Sequence, residues 1–380
     1  MILVVDCFKL VKGKGKSIGI YNLAKSILQH MTENAAAGPG DRLIVLGNKY
    51  NRADMEQPGT EFIEMKGDPL NKLYDVWWEL FAVAGVCRKL HADRIFFPRG
   101  YRPLVNRIPD TIIVHDLIPF YYNENYPGYL DRIENAYIMT RLKASILHAD
   151  SVVTISKYSC DDIMRRFPAM KKREDRIHVI YNGVNTVTSD TAYGSADRTG
   201  YIAAVTSMMP HKNAAGILRA YEYYYRHTDS PLELRVIGIE STEQVCAVYD
   251  SEAAGHVRCY RYIDDYARLC RVIGGAEVFL FLSYIEGFGF PPIEAMQLGV
   301  PVVCSDRTSL PEVVGDAGIL VSPDDPKQVS EAVNKVTGDR KLRDRLIAAG
   351  YENIKRFGWD SRLAEYSRVL WTDGSRGQDR

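Results

Sequence analysis

The sequence predicts an α/β protein built from two doubly wound parallel sheets that face each other across a cleft. Short apolar runs alternate with helix-length segments, which is the pattern of parallel strands joined by crossover helices. The alternation stops at a polar stretch and then restarts, so two lobes follow one another along the chain. A length of 380 residues suits two lobes of roughly 150–200 residues each.

The first lobe is expected to span residues 1–185. Its strands are predicted at residues 2–5, 43–46, 94–97, 111–114, 151–154 and 177–180. These runs are apolar enough to be covered on both faces, as the strands of a parallel sheet are. The segments at 18–31 and 70–90 have the length of helices.

The second lobe is expected to span residues 201–357, after a linker at 186–200 in which Thr, Ser, Asp and Gly dominate. Its strands are predicted at residues 201–206, 232–237, 257–260, 278–282, 300–304 and 319–321. Ligands of open α/β sheets bind beyond the carboxyl ends of the strands, so candidate site residues are sought directly after each strand.

Composition excludes several classes of protein. The 48 basic and 48 acidic residues cancel, so no overall charge attracts the chain to nucleic acid. The seven cysteines form no Cys-x-x-Cys pair, which is typical of reduced thiols in a cytoplasmic protein and not of a zinc site. No stretch approaches the roughly 18 uncharged residues of a membrane span. We expect a cytoplasmic protein without a metal or a nucleic-acid partner.

A glycine-rich loop at residues 12–19 follows the first predicted strand and opens a helix. Backbone amides and the helix dipole attract anions at such a position. A Walker P-loop is excluded because that motif needs glycine where Leu10 stands. Two interpretations stay open: a turn that packs strand against helix, and a loop that brings Gly15 close to a phosphate or a sugar.

A polar pair, His115 and Asp116, follows the strand predicted at 111–114. Its place at the end of a buried strand makes both side chains candidate site residues. The alternative is structural, because Asp is a common helix cap and a backbone carbonyl can satisfy the histidine.

Lys212 lies at the start of the helix predicted at 214–227, after the first strand of the second lobe. The positive end of the helix dipole disfavours a cation there, which favours a ligand-binding role for Lys212 over an ordinary loop lysine. The sequence contains no Asp-x-Asp motif, so a metal-bridged diphosphate site is not predicted. Lys212 and nearby backbone amides would neutralise a diphosphate instead.

The segment at 283–296 follows the fourth strand of the second lobe and holds two glycines and two prolines. The glycines let the backbone approach a ligand, and the prolines seed a helix. Glu286 lies on the loop and Glu294 in the first turns of the helix, so both carboxylates can face one ligand. This pair indicates recognition of hydroxyl groups, with a structural role as the alternative.

Residues 286–295 closely resemble the signature of the retaining glycosyltransferases of family 4, which have the GT-B fold of two Rossmann-like lobes. Further segments match that family in the same order along the chain. They lie at residues 114–119, 155–159, 179–184, 210–213 and 309–318. Six matches in order over nearly the whole chain argue against chance.

The resemblance implies that the second lobe binds a nucleotide-diphosphate sugar. Glu294 would accept the ribose hydroxyls, Lys212 would neutralise the diphosphate, and Glu286 would hold the donor sugar. His115 would contact that sugar from the first lobe. The donor would also meet the loop residues Gly287, Phe288, Gly289 and Phe290.

The chain departs from the family at the phosphate site. The family often has arginine immediately before the lysine, where His211 stands, or six residues before it, where Thr206 stands. One fixed cation would then be absent. His211 would compensate for it if protonated, whereas a neutral imidazole would still donate one hydrogen bond, and the two alternatives stay open. Family members also end with a helix that crosses back onto the first lobe, a role that suits residues 358–372.

We therefore predict a cofactor- and metal-independent enzyme that moves a hexose from a nucleotide sugar to a hydroxyl acceptor with retention of configuration. GDP-mannose ranks first as donor, then a UDP-hexose or dTDP-rhamnose. The acceptor would be a sugar or lipid-linked sugar in polysaccharide or glycolipid synthesis. Two alternatives remain: a nucleotide-sugar 2-epimerase of the same architecture, and a non-catalytic nucleotide-sugar-binding protein.

Residues 165–176 hold six basic and two acidic residues, with Phe167 and Met170 between them. Basic residues interleaved with apolar ones can rest on an anionic membrane, here the inner face of the plasma membrane. A solvated loop is the alternative, because Pro168 prevents a long amphipathic helix.

Overall fold

The computed structural model describes residues 1–13, 18–33, 38, 40–185, 200–246 and 250–371. The chain divides into two compact units. The first comprises Met1–Gly183 together with Trp359–Arg380, and the second is Val184–Gly358. Residues 186–199 of the predicted linker lie outside the described residues, and so does Gly15.

A seven-stranded parallel sheet forms the centre of the first unit as described, in the order β3-β2-β1-β4-β5-β6-β7. Its strands are β1 (Ile2–Asp6), β2 (Arg42–Gly47), β3 (Glu61–Glu64), β4 (Arg94–Phe97), β5 (Asp110–Val114), β6 (Ser151–Thr154) and β7 (Ile177–Val179). Each strand predicted for this lobe is present. β3 was not predicted, because this edge strand carries glutamates at both ends and is only half-buried.

Helices connect the strands of the first unit. They are α1 (Ile18–Glu33), α2 (Arg52–Met55), α3 (Lys72–Trp77), α4 (Val83–Lys89), α5 (Ile118–Asn125), α6 (Arg132–His148) and α7 (Lys157–Arg166). A π-helical turn, Trp78–Ala82, joins α3 to α4, so the helix predicted at 70–90 forms as one helical stretch. None of the helices in the described ranges has the length and apolar content needed to cross a membrane.

The second unit contains a six-stranded parallel sheet in the order β10-β9-β8-β11-β12-β13. Its strands are β8 (Tyr201–Val205), β9 (Glu233–Ile237), β10 (Val257–Tyr260), β11 (Val278–Phe281), β12 (Val302–Ser305) and β13 (Gly318–Val321). Each strand predicted for this lobe is present. The strand order reverses between β8 and β11, which makes their carboxyl ends the topological switch point of the sheet.

The helices of the second unit pack around this sheet. They are α8 (Ala214–Arg226), α9 (Thr242–Val245), α10 (Ser251–Ala254), α11 (Tyr266–Gly274), α12 (Phe290–Gln297), α13 (Leu310–Val314), α14 (Pro326–Gly338) and α15 (Arg340–Ile354). The central strands β11 and β12 are fully buried, as in a sheet covered on both faces, whereas the edge strands β10 and β13 are mostly half-buried.

A last helix, α16 (Trp359–Leu370), packs within the first unit. The indole of Trp359 stacks on His30 of α1 with ring centroids 4.7 Å apart. Tyr366 is fully buried, with its ring 6.3 Å from that of Phe96 on β4. The first unit is therefore formed by two separate parts of the chain, with the whole second unit lying between them in sequence.

Candidate functional site

The switch point of the second sheet brings two of the predicted site residues into contact. β8 and β11 pair in parallel, with Ile202 opposite Val278, so the loops that follow them leave the same edge of the sheet side by side. The Lys212 Nζ atom, from the first of these loops, lies 2.6 Å from Oε1 of Glu286, from the second. Both side chains keep some exposure, 27% for Lys212 and 11% for Glu286, so a ligand can reach the pair.

The backbone around Lys212 is fixed from both strands. The Thr206 hydroxyl, at the end of β8, donates to the Lys212 carbonyl at 2.8 Å. The Tyr284 amide, after β11, donates to the His211 carbonyl at 2.8 Å. The cation is therefore held in place before any ligand arrives, which is what an electrostatic binding site requires.

Asn213 turns the chain from this loop into α8. Its φ of +54° lies in the left-handed region, where asparagine is better tolerated than most residues. The side chain caps the helix by accepting from the Gly216 amide at 3.0 Å, and it donates to the Leu282 carbonyl at 3.1 Å. One buried side chain thus ties the start of α8 to the end of β11.

The Glu286 loop is braced by two residues to which sequence reasoning assigned no role. The Glu286 amide donates to the Thr308 hydroxyl at 3.1 Å, although Thr308 itself has a strained φ of +56°. The Ser309 hydroxyl lies 2.9 Å from the carbonyl oxygen of Glu286 and 2.8 Å from that of Phe288. The sequence held one indication that this region supports the site: Ser309 is the first residue of the family-like segment at 309–318.

Gly289 sets the start of α12. Its φ is +114°, and a Cβ atom there would lie 2.6 Å from a methyl carbon of Leu310. Only glycine fits this conformation and this space. Phe288, by contrast, is 3% exposed and packs against Phe290 and Phe357, so its side chain belongs to the core. If Phe288 takes part in the predicted donor site, it does so through its backbone and not through its buried ring.

Glu294 lies on α12, and burial raises the pKa of its carboxyl group. Burial, and then the charge of Glu294, raises the pKa of the Tyr266 hydroxyl at the start of α11. Tyr266 is 55% exposed and was missed by sequence reasoning, because it follows no predicted strand directly. The two residues place a carboxylate and an aromatic ring near one another on this unit.

His211 is 5% exposed, and its burial together with the charge of Lys212 lowers its pKa to about 4. The imidazole is therefore neutral at neutral pH. Of the two alternatives for His211, the structure favours the neutral imidazole, since burial penalises the charged form. A neutral ring still offers one hydrogen bond.

His115 and Asp116 both make the structural contacts foreseen as the alternative. Burial lowers the pKa of His115 to about 4, and its Nε2 atom lies 2.7 Å from the Pro98 carbonyl. Because a carbonyl only accepts, Nε2 carries the proton and Nδ1 is an acceptor for a hydroxyl. Asp116 accepts from the amide of Ile118, the first residue of α5, at 2.9 Å.

Two more residues at this edge of the first sheet escaped sequence reasoning. Asp6 ends β1, and burial raises its carboxyl pKa to about 6. Arg99 follows β4, and its charge lowers the pKa of both Asp6 and His115. The Arg99 Nε atom is buried and has no hydrogen-bond partner within the described part of the chain. The strand-end rule that selected His115 applies equally to both residues.

The basic segment at 165–176 does not present its apolar residues to the surface. Phe167 is 6% and Met170 1% exposed, and both lie in the core of the first unit. Arg166 pairs with Glu124 and Asp162. The prediction that Phe167 and Met170 contact lipid is wrong, because the chain uses them for packing.

Comparison with known proteins identifies the family. "Glycosyltransferase Family 4" matches residues 28–188, and "Glycosyl transferases group 1" matches residues 188–353. The chain belongs to the family 4 glycosyltransferases. Its fold, two parallel sheets of the GT-B type, is shared with sucrose-phosphate synthase from Thermosynechococcus elongatus. That structure has a TM-score of 0.69 and 18% identity, and the match covers 97% of this chain and 98% of the other.

Two relatives of this glycosyltransferase are O-antigen enzymes. It is 31% identical to O-antigen chain mannosyltransferase B of Escherichia coli over 65% of its own length. It is 30% identical to O-antigen chain mannosyltransferase RfbU of Salmonella typhimurium over 60% of its length. The glycosyltransferase spans 66% of the first relative and 60% of the second.

No group of three or more His, Cys, Asp or Glu side chains is arranged to hold a metal ion in the described ranges of the glycosyltransferase. What the second unit offers is a cation–carboxylate pair at a switch point, a second carboxylate on α12, and the backbone amides of Gly289 and Phe290 at the start of that helix, where Pro291 and Pro292 carry none. A cation beside helix amides binds anions, and carboxylates accept from hydroxyl groups.

We expect His115 and His211 of the glycosyltransferase to stay neutral from pH 8 to pH 5.5, because burial lowers the pKa of each to about 4. Proton NMR of the imidazole rings should show two signals that do not move in this range, with the exposed His91 as an internal reference. Between about pH 6.5 and pH 4 the unfolded chain binds protons at both sites and the folded chain does not, so each histidine lowers stability there. A signal of either residue that titrates near pH 6.5 would contradict this assignment.

Proposed function

We propose that this chain transfers a mannosyl residue from GDP-mannose to a hydroxyl group of a sugar or lipid-linked sugar during polysaccharide assembly. The observation that carries the proposal is the 2.6 Å contact between Lys212 and Glu286 at the switch point of the second sheet. The choice of mannose is supported by the two O-antigen mannosyltransferases, which are 31% and 30% identical to the chain.

Lys212 changes its partner in the proposed reaction. In the structure its ammonium group pairs with Glu286. The diphosphate of the donor would compete for that cation, and Lys212 would then stabilise the charge that develops on the leaving phosphate. Glu286, released from the pair, would accept hydrogen bonds from hydroxyl groups of the donor sugar. The same contact thus prepares both residues for binding.

The proposed transfer retains the anomeric configuration. The bond between the sugar C1 and the phosphate oxygen breaks, and a bond from C1 to the acceptor oxygen forms on the same face. The acceptor proton passes to the departing phosphate, so no side chain acts as a covalent nucleophile. The enzyme contributes by stabilising an oxocarbenium-like state with fixed charges. We propose that no metal takes part, since Lys212 and helix amides supply the positive charge.

Lys212→Ala should lower turnover by about a hundredfold or more, the scale for removing one preorganised charge-stabilising group. The measurement is mannosyl transfer from GDP-mannose under saturating donor, with the exposed Lys341→Ala as control. Near wild-type turnover in Lys212→Ala would refute the diphosphate site.

EDTA should leave the wild-type rate of transfer unchanged, because the proposed reaction uses no metal. A loss of rate on chelation that magnesium restores would refute the metal-free reaction.

Two controls make this experiment specific. The double variant Lys212→Ala/Glu286→Gln removes the unpaired carboxylate left by the single change. Its activity is compared with that of Glu286→Gln alone, because Glu286 itself takes part in the proposed reaction. If the Lys212→Ala change cost no activity in that background, repulsion by Glu286 and not the absent cation would explain the loss. Incubating the donor without acceptor tests the epimerase alternative, because a 2-epimer would then accumulate.

Glu294→Ala should mainly weaken donor binding, whereas Glu286→Ala should mainly slow the chemical step. Ribose is bound equally in the ground and transition states, while the sugar ring gains charge only in the latter. Steady-state kinetics should show a raised KM for the first variant and a lowered kcat for the second. Reduced kcat with unchanged donor affinity in Glu294→Ala would contradict the assignment.

We place the proposed membrane contact on a different surface from the basic segment. Leu73, Trp77 and Phe81 recur every four residues along α3 and the π-helical turn, and are 83%, 50% and 56% exposed. Leu104, 51% exposed, lies beside them, because its amide donates to the Leu80 carbonyl. Lys72, 92% exposed, flanks the stripe. Large apolar side chains with Trp and a neighbouring cation are typical of interfacial binding.

The variant Leu73→Glu/Phe81→Glu should therefore bind anionic vesicles at least tenfold more weakly than the wild type, since it places charge in the apolar stripe. Co-sedimentation with phosphatidylglycerol vesicles measures this. Tyr262→Glu, a change at an exposed aromatic residue of the second unit, should bind as the wild type does. Equal binding by the stripe variant, or no binding by the wild type, would remove the proposal.

A further inference from the structure

The first sheet has a topological switch point of its own, between β1 and β4. The strand order runs outward from β1 to β3 on one side and from β4 to β7 on the other. β1 and β4 pair in parallel, with Val5 opposite Phe96, so the residues that follow them leave the sheet at the same edge. Ligands of open α/β sheets bind at such a point. Arg99 lies there, two residues after the end of β4.

The backbone of Arg99 belongs to a tight turn that is fixed from two sides. The Gly100 amide donates to the Phe97 carbonyl at 3.1 Å, which closes a four-residue turn around Arg99. Gly100 has a φ of +84°, and a Cβ atom there would lie 2.6 Å from a carbonyl oxygen of β5. The Pro98 carbonyl accepts from Nε2 of His115 at 2.7 Å. The fold itself therefore positions Arg99.

The side chain of Arg99 is half-buried and has no partner. Within the described ranges it makes no hydrogen bond and no ion pair. Its Nε atom is buried, so a ligand does not reach that atom. The two Nη atoms are equally unpaired within these ranges but are not buried, so both are accessible from solvent. The turn thus presents a fixed cation with two available donor atoms.

The other charges near Arg99 are paired with one another. The Lys9 Nζ atom, after β1, lies 2.7 Å from Oε2 of Glu79 and 2.9 Å from Oδ2 of Asp75. The Arg141 Nε atom on α6 lies 3.4 Å from Oε1 of Glu79. No salt bridge among the residues that the structure describes includes Arg99. Lys9 and Arg141 therefore have carboxylate partners, and Arg99 has none.

Arg99 still lies close enough to these carboxylates to influence them. Burial is the main influence on the pKa of Asp6 and of Glu79, and the charge of Arg99 adds a smaller lowering to each. Asp6 accepts from the Phe8 amide and from the Trp78 indole, each at 3.2 Å, and so is held away from Arg99. The carboxylates make the buried charge less costly without occupying its Nη atoms.

An anionic ligand group fits Arg99 better than a neutral one. A guanidinium group is not deprotonated in proteins, and its planar fork matches two oxygens of a phosphate or a carboxylate. A sugar hydroxyl would accept one hydrogen bond but leave the half-buried charge without a counter-ion, which is unfavourable. The unpaired charge therefore selects the class of ligand.

We propose that the Nη atoms of Arg99 bind a phosphate or carboxylate group of the acceptor at the switch point of the first sheet. The acceptor role rests on the proposed glycosyl transfer, whereas anion binding at Arg99 does not. The anion is held equally in the ground and transition states, so this contact acts on KM for an anionic acceptor rather than on kcat. Arg99 thus selects anionic acceptors over neutral ones.

The test follows the Nε–H signal of Arg99 by NMR of the whole chain labelled with nitrogen-15 arginine, with the donor absent. The probes are inorganic phosphate, acetate and neutral methyl mannoside, at constant ionic strength. The background is Lys212→Ala, which removes the proposed phosphate site of the second unit. Arg99→Gln identifies the signal and removes the charge. Arg107→Gln, at an exposed position before β5 and so at the opposite edge of the sheet, is the matched control.

We expect phosphate, acetate or both to shift the Arg99 signal in a saturable way, and methyl mannoside to leave it unchanged. A response to phosphate supports a phosphorylated acceptor, and a response to acetate alone supports an acidic sugar. Ligand-observed NMR gives the affinities of variants that lack the signal. Arg99→Gln and Arg99→Lys should bind about tenfold more weakly or worse, the scale of a lost charge-assisted hydrogen bond, and Arg107→Gln as the parent does.

Stability separates a binding role from a structural one. Arg99→Gln breaks no ion pair or hydrogen bond of the described residues, so its Tm should be close to or above that of the wild type. A Tm clearly below that of Arg107→Gln would show that Arg99 supports the fold, and would overturn the inference.

Transfer assays with the wild-type background test the acceptor role. The wild type should use mannose 6-phosphate or glucuronic acid with a lower KM than mannose, and Arg99→Gln should lose that preference through a raised KM for the anionic acceptor. Equal KM values of the wild type for anionic and neutral acceptors would overturn the acceptor role.

The binding experiment overturns the inference if neither anion shifts the Arg99 signal, if methyl mannoside shifts it as strongly, or if Arg99→Gln binds the anions as the parent does. In the wild type, a shift by GDP that prevents the response to phosphate would assign Arg99 to donor binding and also overturn it. Anion binding at Arg99 with no transfer from any nucleotide sugar would refute the proposed function alone. Transfer without anion binding would refute this inference alone.

Discussion

The parallel pairing of β8 with β11 is the constraint on which the candidate site depends. It places two loops side by side, and residues 74 positions apart in the chain then meet as the Lys212–Glu286 pair. Either charge alone would be energetically unfavourable in this half-buried setting, because burying an unpaired charge costs free energy. Side chains from Thr206, Asn213 and Ser309 hold both loops from several directions. A ligand that separates the pair thus meets charges that are already oriented.

Much of the architecture was predictable because buried parallel strands carry their signal locally. Each predicted strand formed, since runs such as residues 151–154 are apolar throughout and are bounded by turns. β3 lacked that signal, because only Phe62 and Ile63 at its centre are apolar and the strand lies at the edge of the sheet. The order of the strands was not predictable in the same way, because the right-handed crossover rule limits the possible topologies without selecting one of them.

The site was predictable only in part, because burial and pairing are long-range properties. The strand-end rule selected Lys212, Glu286 and His115 correctly as residues at sheet edges. It gave no indication that Lys212 and Glu286 contact each other, or that burial keeps His211 neutral. The apolar residues of the basic segment show the same limit: Phe167 and Met170 read as surface anchors in sequence and serve as core in the fold.

The placement of α16 has a consequence for the order in which the chain matures on the ribosome. Trp359 covers His30 of α1, and Tyr366 is fully buried near β4, yet both are synthesised only after the entire second unit. Until α16 has been synthesised, the first unit exposes the apolar surface that this helix later covers. Nascent chains are therefore most prone to aggregation or chaperone binding late in synthesis, when the second unit is complete and the first still awaits its last helix.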